Sequence, residues 1–173
     1  YTVTGERLVE RDNGVIFGSL MEAGSKYPDL VKEHYSQLAD YKSDPFVALN
    51  TAYARDGIFI YVPEKEKLDK PIQIINLLLS DENEMVMHRN LFVAEQNSQL
   101  DVIICDHTLS NHLFLTNSVS EMSVSKNASL DLVRVQNEHN GATQISNIYV
   151  HQEKDSDVST NTISLHGGLI RNN

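Results

Sequence analysis

Cys105 and His107 are the residues of this sequence whose types and spacing could support chemistry. They lie two positions apart near the end of an apolar run, and residues two apart in a β-strand face the same side. A thiolate and an imidazole on one face could bind zinc, copper or an iron–sulfur fragment, and His112 could add a third ligand. Two ligands make only half a site, so we favour a small buried cysteine beside a turn histidine.

A second group of candidates is charged. The pair His88–Arg89 could bind an anion, although an exposed basic pair at the shoulder of a strand is the simpler expectation. The carboxylates of residues 64, 66, 155 and 157 fall in charged turns, where solvated loops are predicted. No nucleotide-binding loop, zinc-hydrolase motif or nucleophile elbow is present in the sequence. We therefore predict that the protein is not an enzyme.

Composition limits the class of protein further. The chain has 173 residues and a formal net charge of −10, which argues against nucleic-acid partners and anionic membrane surfaces. No apolar run is long enough to span a bilayer, and no signal peptide is visible at the first residue. A single cysteine excludes an internal disulfide framework and fits a reducing compartment. We therefore expect a cytoplasmic protein.

Helical signals dominate residues 18–54. One helix is predicted from Pro28, and a second from Pro45 with Asp44 as its cap. Gly57 is predicted to end this second helix. The positions that recur at helical spacing are Leu30, His34 and Leu38 in the first helix, and Phe46, Leu49 and Tyr53 in the second.

Short β-strands replace the helices from Gly57 onward. A β-branched and aromatic run at 58–62 is followed by apolar runs at 72–79, 85–87, 91–94, 100–104, 113–115, 130–135, 145–150 and 162–165. The segment 97–101 resembles 127–131, and 154–158 is a more distant third copy. A repeat of this kind is typical of stacked solenoid coils, although periodicity alone leaves a β-sandwich equally open.

The sequence of residues 44–74 resembles those of the SufB/SufD family of the SUF iron–sulfur cluster assembly system. In that family an LNTA-type helix leads into a strand, a Val-Pro and a Lys-Pro-Ile segment. These read here as residues 49–52, 62–63 and 70–72. The sequence similarity continues at 87–93, at 117–124 and at 135–137, so the resemblance extends from about residue 15 to the C terminus.

The resemblance implies a mainly β fold, namely a right-handed parallel β-helix with a short N-terminal helical segment. Residues 1–56 would form the helical segment, and residues 57–173 a β-helix core truncated at its C-terminal side. Gln136 matches the glutamine of the family's Val-Gln-Asn segment, where interior polar residues are proposed to support cluster or sulfur handling. A polar corner residue in an internal ladder is the interpretation we favour for Gln136.

The resemblance also points to one branch of the family. SufB carries a Glu-Gly-Cys-Thr signature where this chain reads Ile103-Ile104-Cys105-Asp106, so SufD is the better match. The implied function is a SufD-like, non-catalytic scaffold subunit that acts with SufB and the ATPase SufC. No cofactor would be tightly bound to this chain, and the iron–sulfur cluster would belong to the parent complex.

Two further expectations concern partners and a rival function. Residues 162–170 are predicted to form an uncovered coil edge, which favours a homodimer or an edge-to-edge contact. The rival is a carbohydrate-binding or carbohydrate-processing β-helix protein. Such a protein needs clustered carboxylates and exposed aromatic residues, whereas this chain has no Trp and its acidic residues lie mostly in turns.

Overall fold

The computed structural model describes residues 6–173 and is a parallel β-solenoid of about four turns, which confirms the predicted fold class. Along the chain the elements are β1 (Leu8–Glu10), β2 (Ile16–Ser19), α1 (Leu20–Lys26), α2 (Pro28–His34), α3 (Pro45–Tyr53), β3 (Ile58–Val62), β4 (Ile72–Leu78), β5 (Glu84–Ala94), β6 (Gln99–Thr108), β7 (Phe114–Val124), β8 (Ser129–Asn137), β9 (Thr143–Gln152), β10 (Asp157–His166) and β11 (Leu169–Asn172). No helix among the described residues has the length and apolar character needed to cross a membrane.

Each solenoid turn crosses two sheets. Sheet A has the strand order β1-β2-β3-β5-β7-β9-β11, and sheet B has the order β10-β8-β6-β4. From β3 onward all neighbouring strands are parallel, so successive turns stack in register. Side chains alternate between the two faces of a strand, and the even-numbered positions of these strands form the enclosed core.

The internal repeat corresponds to one corner of the solenoid. Asn97, Asn127 and Asp155 all have positive φ angles, of 60°, 57° and 60°. The Asn127 amide donates a hydrogen bond of 3.1 Å to Oδ1 of Asn97, so these corners stack on one another. Asn and Asp tolerate this left-handed conformation better than other non-glycine residues. Lys65, with φ of 67°, forms the same corner in the first turn, where the sequence shows no repeat.

The segment before the solenoid contains strands as well as the predicted helices. β2 pairs antiparallel with both β1 and β3, and neither β1 nor β2 was predicted from the sequence. These strands have three and four residues, too few to show a period of two. Val15 is fully buried in the solenoid core, so this segment covers the first turn.

Helix α3 begins as the sequence predicts but ends earlier. Oδ1 of Asp44 accepts hydrogen bonds from the backbone N–H groups of Phe46 and Val47, at 2.7 and 3.1 Å. The helix stops at Tyr53, with Ala54 as its C-cap, so the prediction that Gly57 ends it is wrong. Gly57 instead allows close approach, because a Cβ there would lie 1.7 Å from the carbonyl oxygen of Arg89.

The buried face of α3 also differs from the predicted one. Tyr53 is 59% exposed, whereas Val47 and Asn50 are fully buried. Nδ2 of Asn50 donates to the carbonyl oxygens of His88 and Asn117, both at 2.9 Å. The Asn117 amide returns a bond of 2.8 Å to the carbonyl of Phe46. These reciprocal hydrogen bonds of Asn50 and Asn117 attach α3 to sheet A. They give the Asn of the Leu-Asn-Thr-Ala segment a structural role.

Candidate functional site

The interior of the solenoid has an apolar half and a polar half. Along β6 the inward positions change from Leu100 and Val102 to Asp106, and along β8 from Leu130 to Arg134. The apolar half lies next to the Asn97 corner. We name the residues of the other half the interior polar cluster: Asn76, Asp106, Ser118, Arg134, Gln136, Gln144 and Ser146.

Asp106 is the centre of the interior polar cluster. Nε of Arg134 donates to Oδ2 of Asp106 at 2.6 Å, and both side chains are almost fully buried. The amides of Asn76 and Gln144 donate to the same carboxylate at 2.8 and 2.9 Å. Burial opposes ionisation, but the Arg134 charge and these donors outweigh it and lower the pKa of Asp106 below its usual value. The carboxylate therefore stays ionised and is not free to act as a base.

Arg134 joins the two sheets. It lies on β8 of sheet B, and its Nη1 donates to Oγ of Ser118, on β7 of sheet A, at 3.0 Å. Nη1 also donates to Oγ of Ser146 on β9. The two serine hydroxyls are themselves hydrogen-bonded at 2.9 Å. A buried polar network that is satisfied in this way holds the two sheets in one relative position.

Gln136 belongs to the same cluster, deep inside the solenoid. Its Nε2 donates to Oε1 of Gln144 at 2.8 Å, and its Oε1 accepts from the hydroxyl of Ser164 at 2.7 Å. The amide of Asn172 lies 3.2 Å from Oε1. Gln136 therefore connects β8 with β9, β10 and β11. It occupies an interior strand position and not a corner.

Two titratable side chains border the interior polar cluster. Glu138 is 2% exposed, its Oε2 accepts a hydrogen bond from the Thr108 hydroxyl, and its Oε1 has no hydrogen-bond partner. Burial raises the pKa of Glu138 above its usual value. Burial also lowers the pKa of His88, despite the opposing charge of Asp106. Burial at the border of the interior polar cluster thus favours the neutral forms of Glu138 and His88.

Cys105 and His107 lie on the opposite side of sheet B, facing outward. They share this face as the sequence predicts, but Cys105 is only half-buried and His107 lies within β6 instead of a turn. Nε2 of Gln73 donates to Sγ of Cys105 at 3.7 Å. His112 lies in the exposed loop after β6. Within residues 6–173 no three His, Cys, Asp or Glu side chains come together in a group that could hold a metal ion.

The three sequence-predicted candidates therefore do not form one site. Gln136 faces the solenoid interior, whereas Cys105 and His107 face outward from the same sheet. The residues that surround Gln136 were not singled out from the sequence. A signal existed for them, because Asp106 and Arg134 occupy positions in phase with the inward apolar residues of β6 and β8. A charge at such a position needs a buried partner.

The pair His88–Arg89 also differs from its prediction as an exposed basic pair. Arg89 is 1% exposed on the outer face of sheet A, beneath the N-terminal segment. Its Nη2 donates to Oε2 of Glu121 at 2.7 Å. The Glu121 carboxylate also accepts the backbone N–H groups of Ser36, Leu38 and Ala39, at 2.8 to 3.0 Å. Glu121 therefore anchors the segment between α2 and α3 to the solenoid.

Two known protein-family models match this chain, one over its N-terminal part and one over the solenoid. The family described as "SufBD protein N-terminal region" matches residues 1–74. The family described as "SUF system FeS cluster assembly, SufBD core domain" matches residues 77–173. The chain belongs to the SufBD family. The core-domain match contains Cys105, His107, Gln136 and most of the interior polar cluster, and the N-terminal match contains all three helices.

Individual SufBD relatives agree with this assignment. The chain is 36% identical over 96 residues to the iron–sulfur cluster assembly SufBD family protein ABCI9 of Arabidopsis thaliana, covering 56% of this chain and 20% of the relative. It is 31% identical over 145 residues to ABCI8, chloroplastic, of the same plant, covering 82% and 25%. It is 28% identical over 144 residues to SH2035 of Staphylococcus haemolyticus, covering 82% and 31%. The chain thus spans under a third of the length of these relatives.

Proposed function

We propose that this chain acts as a SufD-like, non-catalytic part of a scaffold complex for iron–sulfur cluster assembly, together with SufB-like and SufC-like proteins. Membership of the SufBD family supports the assembly role. The observation that carries the SufD-like assignment is the setting of Cys105, which lacks the Glu-Gly before it and the Thr after it that mark SufB. The family assignment favours this role over the rival carbohydrate function.

A scaffold role is consistent with how the chain is built. A buried ion pair within sheet B is hydrogen-bonded to sheet A, and the helices are attached by buried polar contacts. The buried carboxylates of Asp106 and Glu121 are ion-paired to arginines and are thereby committed to structure. Such a frame holds partners in fixed positions, while the ATP-dependent step would reside in the SufC-like partner.

Co-purification tests this proposal. The tagged chain is co-expressed with SufB-like and SufC-like proteins of its own source, each alone and both together. We expect a stable complex that contains the SufB-like protein, and no ATPase activity from the tagged chain by itself. Failure to retain either partner, with the chain shown to be folded by circular dichroism, would contradict the role.

We further propose that the iron–sulfur cluster is cargo of the complex and that Cys105 is structural in this chain. The half-buried thiol accepts one side-chain hydrogen bond, from Gln73, and no set of metal ligands surrounds it within residues 6–173. We expect anaerobically purified protein to contain iron and zinc well below one ion per chain, by elemental analysis. Stoichiometric metal that is lost in Cys105→Ser would contradict this. The free cysteine is also the basis for proposing a reducing, cytoplasmic location.

A further inference from the structure

The outer faces of the two sheets are covered unequally. Helices α1 and α2 pack on the outer face of sheet A, where Leu20, Ala23 and Val31 meet Phe59 and Leu91. On sheet B no helix or strand of the described residues packs against the outer face. The crossover helices that cover both faces of a parallel sheet in α/β proteins are absent from β3 to β11, so the outer face of sheet B is open.

Apolar side chains form a continuous stripe on this open face. Ile75, Cys105, Val135 and Ile163 are register partners on four neighbouring strands, and they form one row across the sheet. Ile75 and Ile163 are 56% and 48% exposed. Adjacent outward positions extend the row on both sides. We name this surface the sheet-B stripe: Ile75, Leu77, Ile103, Cys105, Val133, Val135 and Ile163.

An acidic row runs alongside the sheet-B stripe. Asp101 and Asp131 are register partners on β6 and β8. Asp157 lies on the same face of β10 but pairs with Ser129, two positions before the partner of Asp131. Within residues 6–173 none of the three carboxylates makes a hydrogen bond or an ion pair.

We propose that the sheet-B stripe is a docking site for an amphipathic helix of a partner protein that carries basic residues along one flank. Four strands spaced about 4.8 Å apart put the outer two about 15 Å apart, which about ten helical residues span. Such a helix would lie along the row, bury its apolar face on the stripe and place its basic flank on the acidic row. This inference does not depend on the role in cluster assembly.

Charge distinguishes this occupant from a second copy of the chain. Each copy has a formal net charge of −10, so face-to-face packing of two copies brings together surfaces of like charge. A basic flank removes that repulsion and pairs carboxylates that have no partner here. Anionic lipid surfaces are disfavoured for the same electrostatic reason.

The only cysteine of the chain provides the test, because Cys105 lies in the middle of the stripe. The rate of Cys105 alkylation by iodoacetamide is measured with a synthetic helical peptide of about 14 residues, with leucines on one face and lysines on one flank. A second peptide has glutamate in place of every lysine. We expect the lysine peptide to slow alkylation at least about tenfold at saturation and the glutamate peptide to have little effect.

Variants locate the binding surface. Asp101→Asn/Asp131→Asn/Asp157→Asn should weaken protection by the lysine peptide about tenfold, the sum expected for three exposed pairs. The matched control, Asp29→Asn/Glu33→Gln/Asp40→Asn, makes the same change in net charge on exposed residues of the segment over sheet A and should have no effect. Ile75→Ser/Ile163→Ser should weaken protection, whereas Met21→Ser on α1 should not.

Three results would overturn the proposal. Equal protection of Cys105 by both peptides would show that basic residues do not contribute to binding, which contradicts the proposed occupant. Slower alkylation at high protein concentration without peptide would make a second copy the occupant. No protection by either peptide, with wild-type circular dichroism, would show that the stripe binds no such helix.

Discussion

At the scale of single residues, the ion pair between Asp106 and Arg134 decides how the solenoid interior is organised. Its side chains are 4% and 5% exposed, so neither charge is screened by water. Removing two charges from water is costly, and here hydrogen bonds from both sheets offset that cost. The pair therefore connects β6 and β8 through charges that each need the other as a partner.

Loss of one charge of this pair should therefore destabilise the protein strongly. Arg134→Met leaves the Asp106 carboxylate buried without its counter-charge, and we expect the free energy of unfolding to fall by about 3–5 kcal/mol at neutral pH. Urea denaturation measures the change. Lys154→Met is the control, because the Lys154–Asp155 pair is 81% and 57% exposed, and we expect a change below about 0.5 kcal/mol. A loss under about 1 kcal/mol for Arg134→Met would contradict the assignment.

Glu138 should make stability depend on pH in the opposite direction from a salt-bridged carboxylate. Its folded pKa is raised by burial, so the stability that its protonated form contributes is present below the unfolded pKa of about 4.3 and is lost as the pH rises through the folded value. Glu138→Gln keeps the neutral form at every pH. We expect equal stabilities near pH 4 and a more stable variant near pH 8 by urea denaturation.

The control for this prediction is Glu82→Gln, which alters an exposed carboxylate in the loop after β4. Its effect on the unfolding free energy should be small and should not change between the two pH values. A Glu138→Gln variant whose stability relative to wild type stays constant or falls with rising pH would show that burial does not raise the pKa of Glu138.

At the scale of elements, the contacts between the N-terminal segment and the solenoid depend on backbone approach as much as on side chains. Arg89 donates its backbone N–H to the carbonyl of Asp56 at 3.2 Å, so the chain enters β3 directly against β5. The Glu121 carboxylate and the Asn50 amide then hold the helical segment over sheet A. The backbones approach so closely here that no atom can be added between them without displacing one of the two segments.

Two glycine-to-alanine changes should separate this junction from an ordinary helical glycine. In Gly57→Ala the new Cβ would lie 1.7 Å from a backbone oxygen, so the junction must open, and we expect a loss of more than about 3 kcal/mol. In Gly24→Ala, within α1, the nearest atom is 4.0 Å away. This helix should gain about 0.5–1 kcal/mol. Thermal and urea unfolding measure both, and similar effects would contradict the close approach.

At the scale of the whole molecule, the two ends of the described solenoid differ. In sheet A the first turn is covered by β2 and Val15, whereas β11 is an edge strand among residues 6–173, and sheet B has an edge strand at each end, β4 and β10. Unpaired edge strands are templates for strand addition. The predicted edge at residues 162–170 coincides with the end of β10 and the start of β11, so self-association through this edge remains our prediction.

Proline at Ile170 tests this edge without breaking the sheet. The N–H groups of Leu169 and Asn173 donate to the carbonyls of Ala142, just before β9, and Ser146, at 3.1 and 2.9 Å, so by alternation the N–H of Ile170 points to the open edge. We expect wild-type protein to dimerise with rising concentration in light scattering, and Ile170→Pro to stay monomeric. Ile170→Val, which keeps the donor, should dimerise. A wild-type monomer at all concentrations would contradict the prediction.

Local chemistry was sufficient to predict much of this protein. Several correct predictions depend on residues close together in the chain: the cap at Asp44, the strand at 58–62, the repeat at Asn97 and Asn127, and the sequence motifs shared with the SufBD family. Helix caps, turn conformations and alternation of apolar residues are local effects. The shared face of Cys105 and His107 followed from the same alternation, whereas the structure shows that this face points outward.

Only the tertiary structure decided which polar residues meet. Asp106, Arg134 and Gln144 lie on three different strands, and their contacts arise from the stacking of whole turns. Arg89 and Glu121 are buried because the N-terminal segment folds over sheet A, and nothing in the sequence near Arg89 indicates that cover. The short strands β1 and β2 form because β3 offers them an edge. Contacts between distant segments depend on register and cover, which a local pattern does not contain.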